Sequence, residues 1–384
     1  MSSSTNPFIR YRTSLDSYAK ALTLGWTDAD YIELVERLDA RLVELEDQGL
    51  SVTPTTASPR LASAIGLNPS QLWLKDETGN VVGSHKVRHL FGVLLHLMIN
   101  EQDDGVLAIS SCGNAALAAA AVARVGNRNI RVFIPAWANP AVVSQLEALH
   151  AEIFVCERRS DESGDPAYLR FAEAVAAGAV PFSCQTAMTP DALDGGRTLG
   201  FELAEQLADL GVCGTTRLYV QVGGGALASA VWSGLIERVR YRTLDISPVL
   251  HAVQVASCAP LCRAWTRLSE HDGNIGRLMS KARTSPNDYM TPWEDVGLSA
   301  ATGILDDVTY EWLTVVEPML STNGWPVTVT ETQILDAHRF VHEYCDIDAD
   351  ETGTAGLAGV LHDSRVGVIR RDDNVVALVT GVTR

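Results

Sequence analysis

The sequence has no apolar run long enough to cross a membrane. Its longest apolar stretch, from Ala115 to Ala123, is followed by Arg124 and is well short of the roughly 20 residues that a bilayer requires. The N-terminal segment MSSSTNPFIRYR also lacks the apolar core of a secretory signal. We therefore expect a cytoplasmic protein with no membrane partner.

Basic charge is scarce as well. The chain carries 30 Lys and Arg residues against 47 Asp and Glu residues, which gives a formal net charge of -17. Such a chain repels phosphate backbones and anionic lipid. We therefore expect no nucleic-acid partner.

Cysteine spacing typical of a metal site is missing. The seven cysteines are scattered, without a CxxC pair or a neighbouring histidine cluster. They are expected to be free thiols in a reducing compartment, and no metal site is predicted. The nucleotide motifs GxxxxGK[ST] and GxGxxG are also absent, which weakens a nucleotide-binding oxidoreductase as an alternative.

The chain instead contains an alternation of short apolar strands and longer helices after an amphipathic helix at 30–48. With 384 residues, 46% of them hydrophobic, it is long enough for two domains. The alternation predicts an α/β fold with mostly parallel sheets covered by helices on both faces. Strands are predicted at 72–75, 106–110, 130–134, 153–155, 218–222, 249–255 and 375–380. Helices are predicted at 86–100, 114–125, 139–150, 166–178, 195–210, 226–240, 331–344 and 354–362. The polar stretch 267–300 is predicted to be an irregular insertion or lid.

Lys86 lies in the segment WLKDETGNVVGSHKVR, where a strand and a glycine-containing turn lead into a helix. The unpaired N–H groups at a helix start favour anions. A partly desolvated lysine at this place would have a larger neutral fraction, which is the form that attacks an aldehyde. The segment alone is more typical of a solvated lysine on a helix.

Two further turns connect an apolar strand to a helix. In LYVQVGGGAL the glycines at 223–225 allow backbone amides to approach a phosphate closely. In ISSCGNAA, hydroxyl groups and the Asn114 amide meet at a helix start, which suits a carboxylate. The apolar strand VVALV ends at Thr380, and ligands of α/β sheets lie at the carboxyl ends of strands.

In this order and spacing, the motifs resemble the fold-type II pyridoxal-phosphate enzymes over about residues 50 to 384. That family includes threonine and serine dehydratases, threonine synthase, cysteine synthase and the tryptophan synthase β chain. GSHKVR resembles GS[FH]KxR, SCGN resembles S[ST]GN, and GGGAL resembles the family's phosphate-binding turn. DGGRT at 194–198, SAATGI at 299–304 and ETGTA at 351–355 are similar to EGxxT, SxAxGI and EPxGAA.

The resemblance implies pyridoxal 5'-phosphate as cofactor, with Lys86 as the catalytic lysine that forms a Schiff base with it. The implied cofactor-binding residues are Lys86, His85, Asn114, Gly223, Gly224, Gly225, Ala226, Leu227 and Thr380. The implied substrate-binding residues are Ser111, Cys112, Gly113 and Ala115. Thr380 would face the pyridine nitrogen, and His85 would lie near the phosphate.

The resemblance also implies a two-domain architecture and a homodimer. The large domain would combine residues 1–89 with 191–384, and the small domain would be residues 90–190 with the Asn114 loop. Two departures change the expected pocket. Cys112 replaces the usual Ser or Thr, which makes racemisation less favourable, and Ala115 replaces a common His or Thr.

The implied reaction is removal of the α-proton of a small amino acid by Lys86, followed by β- or γ-elimination. This would make the protein a lyase of amino-acid metabolism, like threonine/serine dehydratase or threonine synthase. A synthase that replaces the β-substituent is an alternative. A homologue that binds the cofactor without catalysis is a lesser alternative.

Overall fold

The computed structural model describes residues 4–101, 105–160, 162, 164–242, 244–271 and 273–383. Its α-helices are α1 (Pro7–Arg10), α2 (Asp16–Thr23), α3 (Asp28–Glu46), α4 (Pro59–Ala64), α5 (Lys86–Ile99), α6 (Asn114–Val125), α7 (Pro140–Ala148), α8 (Pro166–Ala176), α9 (Ala192–Asp209), α10 (Ala226–Arg242), α11 (Pro260–Ser269), α12 (Ile275–Thr284), α13 (Trp312–Thr322), α14 (Glu331–Tyr344) and α15 (Glu351–Arg365). Its strands are β1 (Thr55–Ala57), β2 (Leu72–Asp76), β3 (Leu107–Ser110), β4 (Ile130–Pro135), β5 (Glu152–Cys156), β6 (Val180–Pro181), β7 (Gly214–Gln221), β8 (Ile246–Val255), β9 (Pro326–Val329) and β10 (Asn374–Val379).

The chain divides into two compact units. The first unit consists of residues 4–52 and Gly79–Thr198, and the second of Thr53–Thr78 and Leu199–Thr383. The chain therefore passes from one unit to the other three times. Helix α9 contributes residues to both units.

The first unit contains a four-stranded parallel sheet in the order β5-β4-β3-β6. Helix α8 packs on β3 and β4, where Phe133 and Phe171 form part of a small apolar cluster. Helix α6 contacts β3, β4 and α5.

The N-terminal helices group with this first unit, whereas residues 1–89 were expected in the large domain. Helix α3 begins with the predicted capping box, in which Thr27 and Asp30 bond each other's backbone N–H groups. Its apolar face lies against α6, and Arg41 donates to the Val125 carbonyl at the end of α6 (2.7 Å). Sequence periodicity predicts such a face but does not identify the element that covers it. Residues 79–89 and 191–198 also group with the first unit.

The second unit contains a six-stranded sheet in the order β1-β2-β10-β7-β8-β9. All neighbours are parallel except β1 and β2. Alternate residues of β10 enter two different cores, as the pleat of a strand requires. Val376 and Leu378 pack with α10–α13, while Val375, Ala377 and Val379 pack with α4, α14 and α15. The predicted parallel sheet covered on both faces is thus confirmed.

A fully buried ion pair lies in the second unit. The Lys75 ammonium contacts the Glu202 carboxylate (2.8 Å), the Thr53 carbonyl (2.6 Å) and the Gln206 side-chain oxygen (3.0 Å). Glu202 also accepts a bond from the Thr53 N–H (3.1 Å). The cluster therefore joins the two segments of this unit. Thr53 and Lys75 lie near the two ends of the first segment, and Glu202 lies near the start of the second.

The prediction of an irregular insertion at 267–300 was wrong for the part up to Thr284, whereas residues 289–300 are irregular. Helix α11 continues to Ser269, and α12 occupies Ile275–Thr284 with Asn274 as its cap. Leu278 and Met279 of α12 pack into the core of the second unit, and so does Tyr289. The polar residues of this stretch alternate with core residues at helical spacing, which hid the helix in a largely polar segment.

Within the described ranges, no helix is long and apolar enough to cross a membrane. No three His, Cys, Asp or Glu side chains in those ranges are placed to hold a metal ion. All seven cysteines are free thiols.

Replacing Lys75 by Met should lower the free energy of unfolding by about 3–5 kcal/mol, because the buried Glu202 side chain would lose its cationic partner. The Lys75→Met/Glu202→Leu double variant should recover much of this loss. Denaturant unfolding measures both. Arg283→Met breaks the exposed pair between Arg283 and Glu317 and should cost less than about 1 kcal/mol. Equal losses in Lys75→Met and Arg283→Met would contradict the importance of the buried pair.

Candidate active site

Lys86 is the first residue of α5 and follows an unusual turn. Val82 and Gly83 both have left-handed backbone conformations, with φ of 47° and 60°. This conformation is costly for a β-branched residue such as valine and is typical of functional turns. Ser84 is buried, and its hydroxyl accepts a bond from the Lys86 N–H (3.3 Å). The turn therefore fixes the point on the backbone from which the Lys86 side chain extends.

The sequence has four lysines, and their environments differ. Lys20 on α2 and Lys281 on α12 are exposed, and Lys75 is held in the buried ion pair. Lys86 is half-buried. Lys86 is thus the lysine whose backbone is held by a turn and whose side chain is still partly exposed to solvent.

The Asn114 loop lies at the carboxyl end of β3. Ser111, Cys112, Gly113, Asn114 and Ala115 are all partly exposed, and α6 begins at Asn114. The Ser111 hydroxyl accepts from the Gly113 N–H at 3.5 Å. Helix α6 contacts both α5 and the turn Val81–Gly83. The first unit therefore brings the Lys86 and Asn114 segments together.

Cys112 is largely screened from water within this loop. Burial raises the pKa of its thiol, and the charge of Asp165 acts in the same direction. Cys112 is consequently a protonated thiol at neutral pH and a poor base. Burial also raises the pKa of Cys184, on which the charge of Lys86 acts in the opposite direction.

The glycine turn Gly223–Gly225 lies at the carboxyl end of β7, in the second unit. A side chain at Gly223 would meet the Asp306 carboxylate and the Ile304 backbone, and one at Gly224 would meet the Tyr310 ring at 3.1 Å. Gly225 has a φ of 97°, which L residues rarely adopt. The Gly224 carbonyl accepts from the Glu311 N–H (2.9 Å).

The two residues after this turn begin α10. Ala226 and Leu227 are buried, and Leu227 belongs to the main core of the second unit. Their side chains are therefore structural, and their contribution to a ligand is limited to backbone N–H groups at the helix start. His85, in the first unit, is buried at the start of α5, with its ring 5.9 Å from that of His89.

Thr380 directly follows β10, which is the neighbour of β7 in the sheet. Its side chain is buried, and its N–H donates to the Gly353 carbonyl (3.2 Å). Gln221, the last residue of β7, donates its side-chain amide to the Thr380 hydroxyl oxygen (2.5 Å). The second unit therefore brings the glycine turn and Thr380 to adjacent strand ends. Sequence reasoning missed Gln221, although it stands two residues before the glycines.

The segment at 194–198 has an internal structural role. Asp194 is buried and accepts from the N–H groups of Asp16 and Ser17 at the start of α2 (both 2.9 Å) and from His96 (3.0 Å). Gly195 lies so close to Gly92 that a side chain at either position would collide with backbone. This segment joins helices of the first unit and binds no ligand through these contacts.

Arg88 and Arg197 are both engaged within the first unit. Arg88 is buried and donates to the Thr198 hydroxyl (3.0 Å). Arg197 bonds Asp16 (3.2 Å) and Asp194 (3.3 Å). Both guanidinium groups therefore hold the first unit together.

The family model described as "Pyridoxal-phosphate dependent enzyme" matches residues 46–381. The chain belongs to this family. A threonine synthase from Bacillus sp. (strain ULM1) is 24% identical over 330 residues, which cover 86% of this chain and 82% of that protein. An L-threonine ammonia-lyase from Thermotoga maritima is 25% identical over 76% of this chain and 63% of its own length.

Among solved structures, the processed form of threonine deaminase isoform 2 from Solanum lycopersicum is similar in fold. Its TM-score is 0.68 at 18% identity, covering 93% of this chain and 91% of that one. These findings confirm the predicted fold type II, the pyridoxal-phosphate cofactor and a pyridoxal-phosphate enzyme. The names of the relatives agree with the predicted elimination from an amino acid.

The residues at the two strand ends fit this cofactor. The glycine turn excludes side chains at three consecutive positions and precedes α10, an arrangement that suits a phosphate. A half-buried lysine is available in the first unit for an aldehyde. The Thr380 hydroxyl is of the right type for a ring nitrogen.

Replacing His96 by Gln should lower the melting temperature most at mildly acidic pH. Burial acts to lower the pKa of His96, but Asp194 outweighs it and the pKa is raised. Burial acts to raise the pKa of Asp194, but His96 and the α2 amides lower it. The contribution of His96 to stability is therefore complete below its ordinary pKa of about 6.5, and it is lost as pH rises through the raised pKa. The contribution of Asp194 to stability is complete above its ordinary pKa of about 3.9, and it is lost as pH falls through the lowered pKa.

Melting curves of the wild type and His96→Gln from about pH 5 to pH 9 test this, because the two should converge at the alkaline end. His271→Gln, at an exposed histidine, is the control variant. A constant difference for His96→Gln would show that the pair is not ionised.

Proposed function

We propose that this chain is a lyase that eliminates a β- or γ-substituent from a small amino acid. The observation that carries the proposal is the Thr380 hydroxyl at the strand end beside the glycine turn. A neutral hydroxyl does not force a ring nitrogen to be protonated, as an aspartate would. The negative charge at the α-carbon is then delocalised less completely, and prompt loss of a leaving group is favoured over transamination.

When bound, pyridoxal phosphate supplies an aldehyde that links to amines and a ring that withdraws electrons from the α-carbon. Lys86 would bind this aldehyde and, once displaced by the substrate amine, would take the α-proton on its Nζ atom. Gly223, Gly224 and Gly225 would bind the phosphate through backbone N–H groups, with those of Ala226 and Leu227 at the helix start. His85 would lie near the phosphate.

The Asn114 loop would bind the substrate. The Ser111 hydroxyl and the N–H groups at Cys112, Gly113 and Ala115 would hold the amino-acid carboxylate. Asn114 would bond the phenolic oxygen of the cofactor. Because the Cys112 thiol stays protonated, it offers no base on the second face of the substrate, which disfavours racemisation. Departure of the leaving group and hydrolysis would then give a 2-keto acid and ammonia.

We also propose that the enzyme is a cytoplasmic homodimer. The seven free cysteines are compatible with a reducing compartment. The dimer rests on the family resemblance. Sedimentation of the purified protein would reveal a monomer if this part is wrong.

The function is tested by adding L-threonine or L-serine to the purified enzyme and identifying the product by mass. A 2-keto acid with stoichiometric ammonia supports elimination. A new amino acid formed only in the presence of an added nucleophile would instead support β-replacement. Formation of neither product with any small amino acid would contradict the proposal.

The role of Lys86 is tested by borohydride reduction followed by peptide mapping, which must distinguish only four lysines. The label is expected on Lys86. Lys86→Ala should abolish turnover, whereas Lys281→Ala, at an exposed lysine of α12, should retain it. A label on another lysine, or retained turnover in Lys86→Ala, would overturn the assignment.

A further inference from the structure

Gln254 is a fully buried polar residue beside the glycine turn. It is the last but one residue of β8, the strand that pairs with β7, and its side chain is 0% exposed. Val222, which connects β7 to the turn, donates its N–H to the carbonyl of Val253, the residue before Gln254 (2.9 Å). Gln254 therefore lies where β7 ends and the turn begins. It belongs to none of the sequence motifs described above.

The side-chain amide of Gln254 bonds three different parts of the second unit. Its Nε2 atom donates to the Val222 carbonyl (3.2 Å) and to the Thr309 hydroxyl oxygen (3.3 Å). Its Oε1 atom accepts from the N–H groups of Leu261 (2.9 Å) and Cys262 (3.3 Å). Because a carbonyl can only accept and an N–H can only donate, these partners fix the orientation of the amide.

Helix α11 anchors one end of this amide. The residue before the helix, Ala259, has no side chain that could accept from the first N–H groups of α11, and the Gln254 oxygen accepts from two of them instead. The position of the Gln254 side chain is therefore set by a helix start, independently of the turn that its nitrogen contacts.

The bond to Val222 determines the direction of the first N–H of the turn. The peptide group between Val222 and Gly223 is planar and trans, so its C=O and its N–H point in opposite directions. Since Gln254 holds the Val222 carbonyl, the Gly223 N–H is directed away from Gln254. A carbonyl that accepts a hydrogen bond also makes the N–H of the same peptide group a stronger donor.

The other end of the turn is held by the loop to which Gln254 also donates. A side chain at Gly225 would lie 3.1 Å from the Thr309 Cγ2 atom, and Thr309 is itself buried. Two residues later, the Glu311 N–H donates to the Gly224 carbonyl (2.9 Å). Gln254 thus contacts the start of the glycine turn directly and the end of it through Thr309.

We propose that Gln254 is a positioning residue for the cofactor phosphate. It holds the Val222–Gly223 peptide group so that the first N–H of the glycine turn faces the phosphate. The proposal rests on the proposed function, in which Gly223, Gly224 and Gly225 bind that phosphate. Gln254 acts through the turn and does not contact the cofactor.

The test isolates the phosphate by comparing pyridoxal phosphate with pyridoxal, which has the same ring and aldehyde. Equilibrium dialysis of the apoenzyme gives both dissociation constants, and their ratio measures how much the phosphate contributes to binding. Gln254→Met removes the donor, and Gln254→Asn is one methylene too short to reach Val222. Both variants are neutral, so neither adds charge near the phosphate. The ratio should fall about tenfold in each, because a hydrogen bond to a charged group is misdirected.

Gln71→Met is the matched control. Gln71 is also a buried glutamine of the second unit, and its Nε2 atom donates to the carbonyls of Arg370 (2.6 Å) and Asp373 (2.8 Å). Its Oε1 atom accepts from the Asn68 N–H (2.9 Å). The substitution therefore removes a comparable set of bonds without touching the glycine turn. It should lower the melting temperature of the apoenzyme and leave the ratio as in the wild type.

An unchanged ratio in the Gln254 variants would overturn the role of Gln254, and so would an equal fall in Gln71→Met, which would indicate general loosening. If one Gln254 variant does not fold, the other still decides.

Gly225→Ala tests the assumption beneath the proposal, because it strains the turn at a φ of 97°. If the ratio is unchanged in this variant, the phosphate does not bind at the turn and the Gln254 proposal fails with that assignment. If Gly225→Ala lowers the ratio and the Gln254 variants do not, the turn keeps its role and Gln254 loses its own. Identification of the elimination product is independent of both outcomes.

Discussion

The second unit depends on one charge that is completely buried. Lys75 has no contact with water, and its ammonium is compensated by Glu202 together with the oxygens of Thr53 and Gln206. An unpaired ammonium in such surroundings would be strongly destabilising, so these groups must assemble together or not at all. Because they come from three separate stretches of the chain, this requirement also aligns β2 with the start of the segment that contains β7.

The regular part of the fold could be predicted because its signals are local. The apolar stripe and capping box of α3 appear in the sequence at the positions where the helix forms. The apolar strands β2, β7, β8 and β10 are distinct because most of their residues are buried, on both faces of a mostly parallel sheet. In the same way, the glycine turn and Lys86 could be singled out, since both stand between a predicted strand and a predicted helix.

The remaining features depend on contacts between distant residues. The apolar face of α3 does not specify α6 as its partner, so the N-terminal residues were assigned to the other unit. Polar side chains on the exposed face of α12 concealed its three core residues. Gln221 looked like an ordinary strand residue, because its significance comes from Thr380, which lies next to it only through the pairing of β7 with β10.

The position of β10 has a consequence for how the protein forms. This strand lies between β2 and β7, yet Val375 pairs with Leu72, about 300 residues earlier. Contacts of such long sequence separation slow folding, because a large loop must close before they are gained. During synthesis β2 therefore remains without its central neighbour until the last strand has left the ribosome. A chaperone that binds exposed strand edges would have its longest opportunity on the antiparallel pair of β1 and β2.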